Sequence, residues 1–326
     1  MTTKETWFIV IERDGKKGIG ECGLLRGLSS DDRPDYEAKL RWACDNIELG
    51  KDVLWEALLE FPSIQFGIET AFLSIHSNDP FLPIQSDFTR GIESIPINGL
   101  VWMGDEDFMR RQIDEKLTEG FTCIKLKIGA LKFDAELKIL EFIRSKYSAS
   151  DIEIRVDANG GFSSSDAFDK LTKLSEFEIH SIEQPIAKMQ SDRMAALCRN
   201  TPVPIALDEE LIGITTYAQK DKLLDEIRPQ YIILKPSFIG GIRGSLEWIT
   251  LAEMYNIGWW VTSALESNIG LNAIAQWTYT LKNRMPQGLG TGSLFTNNID
   301  SPLFVRDGAL HYDKNVHWNL PEPLRL

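Results

Sequence analysis

The chain has 326 residues, of which 43% are hydrophobic and 25% charged, and its net charge at pH 7 is −13. This balance is typical of a globular protein, and the negative charge argues against a nucleic-acid partner. No apolar run reaches the ~18 residues that a membrane-spanning helix needs. The four cysteines and four histidines are scattered without a zinc-binding spacing, so we expect a cytoplasmic protein with reduced structural thiols.

The first part of the chain is predicted to form a small α+β domain over residues 1–93. Two β-type runs meet at Asp14 and Gly15, which is a strong signal for a hairpin turn. Helical patterns follow, and the loop 22–32 after the hairpin is predicted to act as a lid. The tail, residues 308–326, has no barrel pattern and is expected to pack back on this capping domain.

From residue 94 onward, short β-type runs alternate with amphipathic helical patterns. Eight such runs predict parallel βα units, and a closed (β/α) barrel over residues 94–307 is the natural arrangement for that number. A doubly wound open sheet is the alternative, although no G-x-G-x-x-G follows the first strand. The predicted strands are 95–101, 123–128, 152–158, 180–186, 203–209, 230–236, 258–265 and 287–292.

One charged side chain stands near the carboxyl end of each of five successive strands. These residues lie 25 to 30 positions apart, which is about one βα unit. In a barrel of this kind the active site forms at that end of the strands. A single such residue is usually a helix cap or a solvated side chain, but five in phase indicate a common site. The residues are Lys127, Asp157, Glu183, Asp208 and Lys235.

Three of the five residues are carboxylates, and buried carboxylates that converge on one barrel mouth repel one another strongly. A divalent cation supplies the missing positive charge. No histidine or cysteine falls in phase, so the oxygen ligands Asp157, Glu183 and Asp208 select a hard ion, Mg²⁺ or alternatively Mn²⁺. Such an ion leaves positions for water and for an oxygen of a small anionic carboxylate substrate.

The lysines indicate a chemistry in which a proton is removed next to a carboxylate. An amine acts as a base only when it is neutral, and burial, a metal ion and a second ammonium group all disfavour the charged form. Lys125 lies two residues before Lys127, so both side chains point to the same face of a strand. We therefore predict Lys127 as the base and Lys125 as the residue that tunes and positions it.

Seven short motifs, spread over nearly the whole chain, form a specific set. They are G-I-G-E-C-G (18–23), G-I-E-T-A-F (67–72), K-x-K (Lys125, Lys127), D-x-N (Asp157, Asn159), I-E-Q-P (182–185), D-E (Asp208, Glu209) and Lys235. As a set they resemble the enolase superfamily, in its muconate-lactonizing-enzyme-like subgroup. Within that subgroup, the segments 262–271 and 287–299 make the chain most similar to the o-succinylbenzoate synthase family.

This resemblance implies a modified TIM barrel of (β/α)7β type with an N-terminal capping domain, and an Mg²⁺-dependent lyase reaction. The implied substrate is 2-succinyl-6-hydroxy-2,4-cyclohexadiene-1-carboxylate, which is dehydrated to o-succinylbenzoate in menaquinone biosynthesis. Lys127 would remove the α-proton and return it to the departing hydroxide. Lys235, on the opposite side of the substrate ring, would stabilise the enediolate as a cation over a π-face.

The resemblance also implies roles for residues near the predicted metal ligands. Asn159 and Glu209 would support the metal site without carrying the reaction. Arg155 shares the strand parity of Asp157, so we expect it to point into the barrel and help to bind the anionic substrate. The oligomeric state is not predicted.

The ends of strands seven and eight are predicted to hold the distal part of the substrate. The side chain of Ser263 and the backbone around Gly290 and Thr291 are expected to contact the succinyl carboxylate. One feature departs from the family pattern, because the capping domain usually begins with a strand upstream of the first one seen in this sequence. The resemblance therefore predicts the barrel site in more detail than the closure of the cap over it.

Other activities in the same superfamily are alternatives. N-succinylamino-acid racemases and dipeptide epimerases both use lysines on opposite faces of an α-carbon. Dipeptide epimerases usually carry D-x-D near strand eight, and residues 287–299 contain no acid. The racemase is harder to separate, because its succinyl group resembles that of the synthase substrate. A barrel that only binds an anionic ligand is a further alternative, and the complete set of base and metal ligands argues against it.

Overall fold

The computed structural model of the protein describes residues 2–129 and 132–324. The predicted domains also include residues 1, 130, 131, 325 and 326, which lie outside the described residues. Within the described part of the chain, no helix is long and apolar enough to cross a membrane. All four cysteines are free thiols.

The N-terminal part begins with the predicted hairpin. It is formed by the antiparallel strands β1 (Trp7–Arg13) and β2 (Lys16–Cys22). Asp14 and Gly15 connect the strands with backbone φ angles of 52° and 75°. Two left-handed residues in a two-residue connection match the twist of antiparallel strands, so the hairpin prediction is confirmed.

Three helices complete the N-terminal part: α1 (Tyr36–Asp45), α2 (Lys51–Ala57) and α3 (Pro62–His76). Helix α3 has a proline in its first turn, where the missing amide hydrogen costs no helical hydrogen bond. Its apolar residues pack with Ile9 and Ile11 of β1 in one core cluster. The hairpin therefore buries one face against the helices, since a two-stranded sheet is marginal alone.

The first predicted barrel strand, 95–101, is divided in the structure. Strand β3 (Ile95–Pro96) pairs antiparallel with residues 309 and 310 of the tail. Strand β4 (Gly99–Val101) belongs to the barrel and pairs in parallel with the next strand. One apolar run thus contains strands of two different sheets. The hydrophobicity of the sequence does not show where the first strand ends and the second begins.

The barrel is a sheet of seven parallel strands that closes on itself. The edge strands are joined through two further residues, since Gln287 bridges to Ile97 before β4 and Gly288 bridges to Thr262 after the last strand. A closed barrel is therefore confirmed, and the open doubly wound sheet is excluded. After β4 the strands are β5 (Cys123–Lys127), β6 (Glu153–Asp157), β7 (Ser181–Glu183), β8 (Ile205–Leu207), β9 (Tyr231–Leu234) and β10 (Gly258–Val261).

Helices follow the strands and cover the outside of the barrel. Their apolar faces and the outward-facing side chains of the strands share one large core cluster. Helix α4 is capped at its start by Asp105, whose carboxylate accepts a hydrogen bond from the backbone amide of Phe108. The helices are α4 (Glu106–Thr118), α5 (Phe133–Lys146), α6 (Ala167–Ser175), α7 (Ser191–Asn200), α8 (Tyr217–Ile227), α9 (Pro236–Ile239), α10 (Gly241–Met254) and α11 (Asn268–Thr280).

The tail contacts both parts of the chain. Strands β11 (Leu303–Arg306) and β12 (Ala309–Tyr312) form a three-stranded sheet with β3 at the barrel. Farther along, the ring of Trp318 stacks on Phe81, with 4.7 Å between the ring centroids. Trp318 also belongs to an apolar cluster that includes side chains of the hairpin. The tail thus packs on the barrel as well as on the N-terminal part. The predicted limits of the two domains stay a prediction.

Two buried glutamates of the N-terminal part bind the first turns of barrel helices. Glu69 of α3 accepts hydrogen bonds from the amides of Ile242 (2.7 Å) and Arg243 (3.2 Å), at the start of α10. Glu21 of β2 accepts from the amides of Ser267 (2.8 Å) and Gly270 (2.9 Å), at the start of α11. Carboxylates are favoured at this end of a helix, so both contacts join the two parts.

The contact of Glu69 predicts a pH dependence of stability. Burial is the largest effect on this carboxyl group and raises its pKa to about 7, from an ordinary value of 4.5. Between these values the folded protein binds more protons than the unfolded chain, so the free energy of unfolding falls as pH rises. In Glu69→Gln this contribution is absent, and we expect a shallower decrease from pH 4.5 to 7 in urea unfolding.

The matched control is Glu60→Gln, since the side chain of Glu60 is 72% exposed and pairs with Arg33 at the surface. This variant is expected to keep the pH slope of the unmodified protein. Burial also raises the pKa of Asp31, to about 6, so the slope of Glu69→Gln is reduced and not abolished. Equal slopes in Glu69→Gln and the unmodified protein contradict the prediction.

Candidate active site

The charged residues predicted from strand phase lie together at the carboxyl end of the barrel. In the strand register Lys127 is paired with Asp157, and Asp157 with Glu183. Asp208 and Lys235 directly follow β8 and β9 and continue the same row. Since parallel strands end at one edge and residues of one parity share a face, the five side chains meet inside the barrel mouth.

Lysine ammonium groups lie between the carboxylates of this row. Nζ of Lys125 is 2.9 Å from Oδ2 of Asp157 and also contacts Glu183. Lys235 forms an ion pair with Asp208, and its Nζ is 3.9 Å from Oε1 of Glu183. Glu183 is therefore the centre of the network, with one lysine on either side of it.

Lys127 completes the network at its solvent side. Its Nζ lies 2.7 Å from Oδ2 of Asp157 and donates a hydrogen bond to Oδ1 of Asn159 at 2.8 Å. The side-chain amide of Asn159 (Nδ2) in turn donates a hydrogen bond to Oε1 of Glu209 at 2.9 Å. The two residues expected to have supporting roles, Asn159 and Glu209, thus form a bridge from Lys127 across the mouth.

Burial and neighbouring charge oppose each other in this network. Burial disfavours a charge on Lys125, but Asp157 and Glu183 outweigh it and raise the pKa of the ammonium group. Burial likewise disfavours a charge on Asp157, yet Lys125 and Lys127 bring the pKa of this carboxyl below its usual range. For Glu183, burial and the charge of Asp157 raise the pKa. The lysines therefore do not fully offset the negative charge around Glu183.

A cavity of about 200 Å³ opens onto the network. The three site lysines line it, together with Leu25 and Leu28 of the loop 22–32. The loop predicted as a lid thus contributes two apolar side chains to the cavity wall. A larger cavity of about 490 Å³ lies beside β1 and contains none of the predicted site residues.

Three further predicted residues, Ser263, Gly290 and Thr291, line the same cavity. Ser263 follows β10, and the segment with Gly290 and Thr291 follows the residues that close the barrel. The hydroxyl of Thr291 donates a hydrogen bond to Oγ of Ser263 at 2.9 Å. The structure therefore brings these residues together at one wall, and their contact with a substrate stays a prediction.

Arg155 points into the barrel as predicted, but it lies outside the cavity, and its contact with a substrate stays a prediction. Its Nε donates to Oε1 of Glu153 at 2.7 Å, and its Nη1 donates to the carbonyl of Pro286 at 2.8 Å. The guanidinium lies 4.3 Å from the ring centroid of Trp260. Arg155 lies one layer below Asp157 and is drawn to Glu153, toward the amino end of the strands.

A sequence profile identifies the family to which this site belongs. The profile described as "Enolase C-terminal domain-like" matches residues 108–315, which is more than half of the chain. This chain belongs to the enolase superfamily. The matched range includes the whole row of charged residues, from Lys127 to Lys235.

Relatives within the enolase superfamily differ in how closely they match. An o-succinylbenzoate synthase from Desulfotalea psychrophila is 48% identical over an alignment of 341 positions, which covers 95% of this chain and 92% of that protein. The crystal structure of MenC from Desulfotalea psychrophila LSv54 has a TM-score of 0.82 at 45% identity and covers 94% of both chains. An N-succinyl-L-Arg/Lys racemase from Bacillus cereus is 27% identical over 271 residues, with 82% of this chain and 70% of that protein covered.

Members of the enolase superfamily use a divalent metal ion, and the chemistry of the carboxylates at the mouth fits one. Asp157, Glu183 and Asp208 are buried and offer oxygen donors only. Oδ2 of Asp157 and both carboxylate oxygens of Glu183 accept no hydrogen bond from the described residues, and they contact ammonium groups instead. In the described part of the chain, no three His, Cys, Asp or Glu side chains are close enough together to bind a metal ion as they stand. Lysine ammonium groups lie between the three acids of the row.

Several cavity residues of this enolase-superfamily chain were not predicted from the sequence. They are Asn98, Leu100, Trp102 and Phe238, which lie near the ends of β4 and β9. Asn98, Leu100 and Trp102 alternate along β4 and its flanking residues, and Leu100 pairs with Lys125 in the strand register, so strand parity places these three side chains on the inner face. Phe238 lies in α9, where no strand pattern marks it. The sequence also gives no signal that the buried acid Glu266, in the segment 262–271, belongs to a site.

Proposed function

We propose that this chain is an o-succinylbenzoate synthase, a lyase of menaquinone biosynthesis in the cytoplasm. The reaction is the dehydration of 2-succinyl-6-hydroxy-2,4-cyclohexadiene-1-carboxylate to o-succinylbenzoate. The observation that carries this proposal is the row of two lysines and three carboxylates at one barrel mouth. The 48% identity to an o-succinylbenzoate synthase over 95% of the chain supports the choice of reaction.

Lys127 is the proposed base. As a neutral amine it removes the proton from the ring carbon that carries the carboxylate, and it returns that proton to the hydroxyl group leaving the adjacent carbon. A C–H bond and a C–O bond break, a ring double bond forms and water is released. Lys125 stays an ammonium group between Asp157 and Glu183, directly below the proposed base.

Lys235 has the complementary role in this proposal. Burial disfavours its charge, but Asp208 and Glu183 outweigh burial and raise the pKa of the ammonium group. In this proposal Lys235 stays protonated through the reaction. Because it lines the cavity with Lys127, it can stabilise the negative charge that spreads over the substrate carboxylate and ring.

Asp157, Glu183 and Asp208 are the residues that would hold Mg²⁺, or Mn²⁺, at this mouth. When bound, the ion would hold the substrate carboxylate and stabilise the negative charge that develops as the α-proton leaves. Asn159 and Glu209 would keep Lys127 and the row of acids in a fixed relation, through their hydrogen bonds across the mouth.

The racemisation of N-succinylamino acids is a second candidate function. It is favoured by one observation, that Lys127 and Lys235 line the same cavity, each paired with a different carboxylate. Two such lysines can exchange a proton on opposite faces of one α-carbon. The 27% identity to the racemase from Bacillus cereus gives it weaker support than the synthase receives.

A direct assay separates these activities. Purified protein with Mg²⁺ is tested on the cyclohexadiene substrate, on N-succinylamino acids and on dipeptides. We expect the highest kcat/KM on the cyclohexadiene, measured by the appearance of the aromatic product. A Lys127→Ala preparation serves as the control for contaminating enzyme. Turnover of only N-succinylamino acids or dipeptides contradicts the proposal.

A further inference from the structure

A buried carboxylate that the proposed chemistry does not use lies behind the cavity wall. Glu266 follows β10 and is fully buried. Its Oε2 accepts hydrogen bonds from the hydroxyl of Ser263 (2.6 Å) and the amide of Ala264 (2.7 Å). Its Oε1 accepts from the hydroxyl of Ser237 (2.5 Å). Within the described part of the chain Glu266 forms no ion pair, so hydrogen bonds alone stabilise it.

These contacts fix the direction of a chain of hydrogen bonds. A carboxylate only accepts, so the single hydroxyl hydrogen of Ser263 points to Glu266 and away from the cavity. Oγ of Ser263 then accepts from the hydroxyl of Thr291 at 2.9 Å and from the amide of Leu265 at 2.9 Å. The hydroxyl hydrogen of Thr291 is therefore also donated within the protein, to Oγ of Ser263. Both hydroxyls line the cavity, but neither has a hydrogen free for a ligand.

The lid loop begins against the same cluster. At Gly23, an added Cβ atom would lie 2.7 Å from Oγ of Ser237 and 2.8 Å from Cγ of Glu266. Only glycine allows the backbone at position 23 to lie this close to Ser237 and Glu266. Two and five residues later, Leu25 and Leu28 line the cavity. The carboxylate of Glu266 therefore lies where the base of the lid meets the wall formed by Ser263.

We propose that Glu266 is a positioning residue, which holds Ser263 and, through it, Thr291 in the one orientation that shapes the distal wall of the cavity. The two hydroxyls then offer no free hydrogen to an anionic group of the substrate at this wall, since both are donated within the protein. This inference rests on the proposed function. It specifies which part of the site selects the substrate's distal end, separately from Lys127 and Lys235, which carry the reaction.

The test compares five variants, one of them a control, by KM, kcat and melting temperature. Glu266→Ala is expected to raise KM about tenfold, as the loss of one buried hydrogen bond implies, with kcat within about twofold. Glu266→Gln keeps an acceptor for Ser263 and Ala264 and is expected to restore KM. Ser263→Ala should match Glu266→Ala, and the double variant should be no worse than either, because one path connects them.

Ser237→Ala is the matched control, since Ser237 contacts Glu266 but does not line the cavity. It is expected to leave KM within about twofold, because Ser263 keeps its own hydrogen bond to Glu266. If Glu266→Ala does not fold, the comparison of Ser263→Ala with Ser237→Ala carries the test. An equal KM in the two serine variants, or a lower melting temperature with unchanged KM in Glu266→Ala, overturns the proposal.

Binding of o-succinylbenzoate and of benzoate, measured by calorimetry, keeps this inference separate from the proposed function. We expect Glu266→Ala to weaken only o-succinylbenzoate, because benzoate lacks the distal group. If the unmodified protein neither turns over the cyclohexadiene nor binds o-succinylbenzoate, the proposed function fails. If it does both and Glu266→Ala weakens the two ligands equally, the positioning role alone fails.

Discussion

Replacement of Lys127 by alanine is expected to lower the kcat of dehydration by about 10²–10⁴-fold, the usual contribution of a positioned general base. The cavity would lose the amine that lies between Asn159 and Asp157. The fold should survive, because Asp157 keeps Lys125 at 2.9 Å and is not left as an unpaired buried charge. Lys235→Ala is expected to lower kcat by about 10²–10³-fold. The variant removes a preorganised cation, but it leaves the proposed base Lys127 in place.

Lys220 provides a matched control for these two variants. It is a buried lysine that donates to Oε2 of Glu247 at 2.8 Å and to the carbonyl of Gly244, away from the cavity. Lys220→Met is expected to lower the melting temperature and to leave kcat unchanged. Stopped assays of aromatic product and thermal unfolding measure both properties. A kcat near normal in Lys127→Ala, with the fold intact, excludes the two-lysine mechanism.

Removal of divalent ions with EDTA is expected to abolish turnover, and added Mg²⁺ should restore it. A readout without catalysis is available, because an ion that binds only the folded protein raises its melting temperature. In Glu183→Gln we expect Mg²⁺ neither to restore turnover nor to raise the melting temperature. Glu183 is the central acid of the network and contacts Lys125 and Lys235. The size of the Mg²⁺-dependent shift is measured by thermal unfolding at several ion concentrations.

Glu210→Gln is the control for the metal prediction. Glu210 is also a buried acid near the mouth, but its carboxylate accepts hydrogen bonds from Gln184 and from the amide of Met189. This variant should keep the Mg²⁺-dependent shift. Full turnover in EDTA, or an equal shift in Glu183→Gln and the unmodified protein, contradicts the assignment of the three carboxylates to a metal ion.

The row of site residues was predictable because a βα barrel repeats with a regular spacing. Lys127, Asp157 and Glu183 each interrupt an apolar run at about the same distance from the previous one, and the register of β5, β6 and β7 places them side by side. Parity predicts the face of a strand to which a side chain points. It does not predict how far a long side chain reaches along the barrel axis.

Lys125 and Arg155 illustrate that limit. They are partners in the strand register and point into the barrel from the same layer. Lys125 reaches up to Asp157 and Glu183, whereas Arg155 turns down to Glu153 and the carbonyl of Pro286. The choice depends on which acceptors the neighbouring strands supply, and those are set by three-dimensional packing.

The cluster around Glu266 was beyond sequence reasoning for a related reason. Its partners come from the start of α9, from the loop 22–32 and from the end of β10, at positions far apart in the chain. No local pattern links Gly23, Ser237 and Ser263. Only a folded barrel brings them within hydrogen-bond or van der Waals distance, so the role of a buried acid there follows from contacts and not from motifs.

The attachment of Glu21 and Glu69 to barrel helices restricts how a substrate reaches the site. Each carboxylate holds the first turn of a different helix, so the N-terminal part is fastened at two separated points and cannot rotate away as one body without breaking both. We therefore expect a substrate to enter by local movement of the loop 22–32, whose Leu25 and Leu28 line the cavity, and not by rotation of the whole N-terminal part.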